Sequence, residues 1–178
     1  MTIHPYINHI RLVQGDIASQ DVEAIVSLIP QDLEFSGRIN ERLMQASQAN
    51  LDNFILENIY QPMVGDVYAV PGFALQARHI IFAVRPRWRD DWDREGKDLI
   101  LCCRKAMVLA KCMLLGRIAF PPLASGKEGF PPERAARYLI AGILDRLDDR
   151  LKEIRIVVPD DALYKVYLDR LVSLRLEG

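Results

Sequence analysis

The run His79-Ile80-Ile81-Phe82-Ala83-Val84 constrains this chain more than any other feature. After its first residue it holds only aliphatic and aromatic side chains, so it cannot be a strand with one face in water, which would alternate. Both faces must be covered. Helices above and below a sheet do that, and the remaining sequence supplies them, because strand and helix signals alternate from end to end.

Residues 7–14, 24–29, 66–70, 117–120 and 153–158 read as the other strands, apolar, mostly β-branched and bounded by turns such as Pro71-Gly72. Helical spacing of Ile39, Leu43, Met44 and Ala46 predicts a helix over 36–49, with Ser36 as its N-cap. Further helices are expected over 51–59, over 99–115 with Gly116 as C-cap, over 132–151 opening on Pro132-Glu133, and over 160–174. Asp160 or Asp161 caps the last one. The expected fold class is α/β: a mixed six-stranded central sheet with helices on both faces. No repeat, linker or low-complexity tract interrupts it, so residues 1–178 form a single domain.

Composition narrows the function. A net charge of −1 gives no general attraction to nucleic acid or anionic membrane, so an anionic ligand must be held by local geometry. No apolar run is long enough to span a bilayer, residues 1–5 do not read as a signal peptide, and the expected location is cytoplasmic. Cys102, Cys103 and Cys112 lie in a helical pattern and read as reduced, mostly buried hydrophobes. His4, His9 and His79 have no metal-ligand spacing, so neither a metal nor a cofactor is expected. Between Arg85 and Asp98, five basic and five acidic residues surround Trp88 and Trp92. Their charges cancel, which favours a solvated surface loop anchored by Trp88 over a nucleic-acid patch.

Three segments arrive at the carboxyl ends of the strands, where α/β sheets bind ligands. The first is Gln14-Gly15-Asp16-Ile17. The second runs from Ser27-Leu28-Ile29-Pro30 to Ser36-Gly37-Arg38-Ile39. The third is Leu123-Ala124-Ser125-Gly126-Lys127-Glu128-Gly129-Phe130. In this order and context, over roughly residues 7 to 172, they resemble the macro domain, a three-layer α/β/α family that binds ADP-ribose and its conjugates.

The resemblance implies roles. Asp16 would accept the adenine amino group and the Ile17 N–H would reach a ring nitrogen; read alone, Asp16 also suits the cap of the turn that follows. Gly37, Arg38 and Ile39 would border the diphosphate and ribose. The N–H groups of Ser125, Gly126, Lys127, Glu128, Gly129 and Phe130 would wrap the diphosphate. No catalytic residue is carried over. The family's Asn-Ala-Ala-Asn run reads Ser27-Leu28-Ile29-Pro30 here, and Pro30 has neither an amide side chain nor an N–H to replace the last asparagine, which is tied to hydrolysis. Only Gly37 remains of three family glycines.

Glu128 would repel a phosphate if it faced inward, at roughly 4 kcal/mol for like charges about 4 Å apart at an effective dielectric near 20. Either Arg38 takes the phosphates while Glu128 faces solvent, or the two side chains bridge and block the cleft. The expected function is therefore binding of ADP-ribose or a related adenine nucleotide without efficient hydrolysis. One alternative is a closed-cleft scaffold that acts through a protein partner. The other is a hydrolase of ADP-ribosylated substrate or O-acetyl-ADP-ribose in which Asn40, Ser27 or Asp32 positions a water.

Overall fold

The computed structural model describes residues 2–87, 92–124 and 129–176, with Trp92 described in its backbone only. Six strands are arranged in the order β1-β6-β5-β2-β4-β3. They are β1 (Ile10–Gln14), β2 (Ala24–Pro30), β3 (Val67–Pro71), β4 (His79–Arg85), β5 (Arg117–Phe120) and β6 (Glu153–Val158). All pairings are parallel except β3 against β4. The helices are α1 (Arg38–Ser47), α2 (Leu51–Asn58), α3 (Trp92–Cys112), α4 (Pro132–Arg146) and α5 (Asp161–Leu176).

The apolar run that defines β4 is divided by the two-residue period of a strand. Ile81 and Ala83 pack with α3, α4 and α5, whereas Ile80, Phe82 and Val84 face the layer of α1 and α2. β2 is buried along its whole length and splits the same way, with Ala24, Val26 and Leu28 on one face and Ile25 and Ile29 on the other. Each Val, Leu, Ile or Phe side chain among them contributes roughly 1.5–3 kcal/mol when taken from water. Ser27 is the polar interruption on the α1 side.

α3 and α4 approach closely because small residues line their contact. A Cβ on Gly142 would lie 2.6 Å from Cys103 Cβ and 2.8 Å from the Ile100 carbonyl oxygen.

Several boundaries differ from the sequence reading. Ile7–His9 forms a 3₁₀ turn before β1. The charged stretch expected to be a loop already contributes to α3 from Trp92, while Trp88 lies outside the described residues. Ser36 is not the N-cap of α1; Gly37 is, at φ +95°. Gly116 is not the C-cap of α3. That helix closes two residues earlier, where Leu114 sits at φ +59°, its N–H on the Lys111 carbonyl, and the Leu115 N–H returns to Ala110. The Gly116 and Arg117 N–H groups instead share Glu23 Oε1 at 2.8 and 3.1 Å. α4 ends at Arg146 rather than 151. Asp160 does cap α5, accepting from the Leu163 N–H at 2.8 Å. Cys102 and Cys103 are buried as expected, but Cys112 is exposed.

Candidate functional site

At the carboxyl end of β1 the Gly15 N–H bonds the Val158 carbonyl and holds the loop to β6. Asp16 then caps the 3₁₀ turn Ile17–Ser19: its Oδ1 accepts from the Ala18 N–H at 3.1 Å and its Oδ2 from the Ser19 hydroxyl at 2.8 Å. The Ile17 side chain is buried against the α1–α2 layer. The capping role and the proposed ligand role thus fall on one carboxylate.

A partner for that carboxylate was not foreseen. Arg42, one turn after Arg38 on α1, places Nε 3.1 Å from Asp16 Oδ1 and 3.2 Å from Oδ2, and Nη2 also donates to Oδ2. These contacts, led by the Arg42 hydrogen bond, hold the Asp16 carboxyl down to about 2. Asp16 is therefore ionised throughout the physiological range. Sequence spacing offered no hint, because the pair is 26 residues apart and joins a loop to a helix.

The second loop brings α1 to the same edge. Gly37 takes a conformation that side chains rarely adopt, and a Cβ there would meet nothing within 4 Å. Arg38 is exposed at the first helical position, with no ion-pair partner among the described residues. Ile39 is half-buried and packs against both apolar layers.

Asn40 is buried. It accepts from the Ser27 hydroxyl at 2.6 Å and donates to the Leu28 and Ser36 carbonyls at 2.9 and 3.2 Å. Ser27 and Asn40, both raised above as holders of a catalytic water, are thereby committed to tying β2 to α1. Asp32 is held by Arg87 at 2.7 and 3.0 Å; the Glu34 N–H and then Arg87 lower its carboxyl below the usual range. Pro30 ends β2 opposite Arg85.

Ser125, Gly126, Lys127 and Glu128 lie outside the described residues, and with them the choice between the two Arg38–Glu128 arrangements. Gly129 is half-buried. Phe130 is buried with its ring edge-on to Tyr138 at 5.1 Å. Its N–H donates to the Ala124 carbonyl at 2.8 Å, which removes Phe130 from the N–H groups expected to wrap a diphosphate. An open depression of about 740 Å³ lies beyond the ends of β2 and β4, among Asp32, Arg87, Arg94, Glu95 and Asp98. Burial raises the Asp98 carboxyl there. Among the described residues, the depression shares none with the Asp16 corner.

The Macro domain family model matches residues 33–139, from the loop before α1 into α4. This chain belongs to the macro domain family. A macro domain-containing protein of Xanthomonas axonopodis pv. citri is 32% identical over 174 residues, covering 92% of this chain and 96% of the relative. One from Listeria monocytogenes serotype 4b is 32% identical over 89% of this chain and 94% of its own. Among solved structures, the Oceanobacillus iheyensis macrodomain with ADP superposes with a TM-score of 0.85 at 26% identity, over 95% of this chain and 93% of that one. The six-stranded mixed sheet between helical layers is the macro domain's three-layer architecture. No helix among the described residues of this macro domain is long and apolar enough to cross a membrane.

Proposed function

We propose that this macro domain binds ADP-ribose or a related adenine nucleotide and does not hydrolyse its conjugates efficiently. The observation that carries the reading is Asp16. It is an ionised carboxylate fixed at the carboxyl end of β1 by Ala18, Ser19 and Arg42 of α1, the helix that opens on the exposed Gly37. Helix N-termini favour phosphate through their N–H groups and dipole. Structural relatives were solved with ADP and, in Trypanosoma brucei, with ADP-ribose.

The absence of efficient hydrolysis rests on chemistry at the other end. Pro30 brings no amide, while Ser27 and Asn40 spend their polar atoms on each other and on backbone carbonyls. Incubation with a mono-ADP-ribosylated protein tests this. Retention of the modification by both the wild type and Pro30→Asn agrees with the reading. Release by the wild type at ordinary enzymatic rates defeats it.

A second reading has its own support. Arg42 on Asp16 is what a closed-cleft scaffold acting through a protein partner would show. Thermal-shift measurements separate the two, because ADP-ribose at millimolar concentration raises the melting temperature of a binder and leaves that of a scaffold unmoved.

A further inference from the structure

We infer that Arg42 controls how the Asp16 subsite reads a nucleobase. The inference rests on the nucleotide-binding reading above and concerns the same carboxylate.

An ionised carboxylate offers about four lone-pair positions. Asp16 fills them from within the protein: Oδ1 takes the Ala18 N–H and Arg42 Nε, and Oδ2 takes the Ser19 hydroxyl and Arg42 Nη2. No position is left for the exocyclic amine of adenine while the guanidinium stays. The Ala18 and Ser19 contacts are local and shape the turn, so Arg42 is the donor that can leave. Its side chain is 41% exposed and that of Asp16 36%, so the pair opens directly to solvent.

Two consequences follow for recognition. Adenine must displace Arg42 before its amine can reach Asp16, which lowers affinity for adenine nucleotides. A 6-oxo purine suffers less, because an Arg N–H can donate to its carbonyl oxygen, whereas a bare carboxylate would repel it. Arg42 therefore flattens the preference for adenine that Asp16 alone would impose.

Calorimetric titration of the wild type, Arg42→Ala and Arg42→Met tests this, with ADP-ribose and its hypoxanthine counterpart as probes. The wild type is expected to bind the two within about threefold, since neither base wins an unshared carboxylate. Both variants are expected to bind ADP-ribose about fivefold tighter, the scale of releasing an exposed ion pair. They are also expected to favour it over the hypoxanthine form by about tenfold or more, the scale of a hydrogen bond to a charged group.

Loss of a cation beside a dianionic ligand would ordinarily weaken binding, so a gain carries the opposite sign from a simple charge effect. Arg42→Met keeps an apolar stem, and thermal melts of both variants establish that they fold. Failure of either the gain or the restored preference, with the wild type still binding, overturns the role of Arg42 alone. Binding of neither nucleotide by any of the three proteins overturns the nucleotide reading as well.

Discussion

The Ser27 hydroxyl donates to Asn40 Oδ1 across 2.6 Å inside the apolar layer between β2 and α1, where both residues are buried. Asn40 uses its amide protons on the Leu28 and Ser36 carbonyls. Truncation leaves those acceptors and a hydroxyl without partners away from water. Asn40→Ala is expected to lower stability by about 2–3 kcal/mol and Ser27→Ala by about 1–2 kcal/mol. Urea midpoints measure both, and a loss under about 0.5 kcal/mol for Asn40→Ala would contradict the structural role.

The Asp16 carboxyl is held down to about 2 in the folded protein, chiefly by Arg42, against roughly 3.9 in an unfolded chain. Its stabilising contribution is thus fully present above about pH 4 and lost as pH falls through about 2. Because the pair is substantially exposed, screening limits that contribution to roughly 1 kcal/mol or less. Asp16→Asn should be slightly less stable than the wild type at pH 7, with the gap closing between about pH 4 and 2. Denaturant midpoints across that range decide it, and a gap that persists at pH 2 speaks against the pair.

Leu114 occupies the left-handed region at the end of α3, and the residue is 88% exposed. Nothing buried is lost by removing that side chain, and glycine adopts the conformation without the Cβ penalty. Leu114→Gly is expected to stabilise the protein by about 1 kcal/mol. A lower melting temperature for this variant would show that the αL cap is not formed.

Gly142 lies where α4 crosses α3. Alanine has the better helix propensity, by about 1 kcal/mol. Yet its Cβ would stand 2.8 Å from a backbone oxygen, which cannot swing aside as the end of a side chain can. Overpacking of this kind costs typically 1–3 kcal/mol and can cost more, so Gly142→Ala is expected to be net destabilising. An unchanged or raised melting temperature would mean the helices separate more easily than their packing implies.

What could be read from the sequence was what the strand and helix periods carry. The apolar run of β4, the strand that ends at Pro30 and the helical face of Leu43 all lie where their spacing placed them. The start of α3 was hidden because its first turns are densely charged, and charge marks a solvated surface without separating helix from loop. The end of α3 was misplaced because glycine is the usual left-handed residue. Here Leu114 takes that conformation, while Glu23, 93 residues from Gly116, claims the glycine's N–H.

At the site, the capping of the turn after β1 by Asp16 was legible in its Gly-Asp setting, whereas Gly37 was singled out only by the family's glycine pattern, because helical spacing placed it inside α1. Arg42 and the Ser27–Asn40 pair were not, because each joins elements whose mutual orientation only the packed sheet defines.

Titration of Arg42→Ala and of the double variant Asp16→Ala/Arg42→Ala with ADP-ribose tests the account most directly. With Arg42 gone, the carboxylate proposed to accept the amine is an unshared hydrogen-bonding charge, so its removal should weaken binding at least about tenfold. Equal affinity in the two proteins would contradict the assignment of Asp16 as the base-reading group.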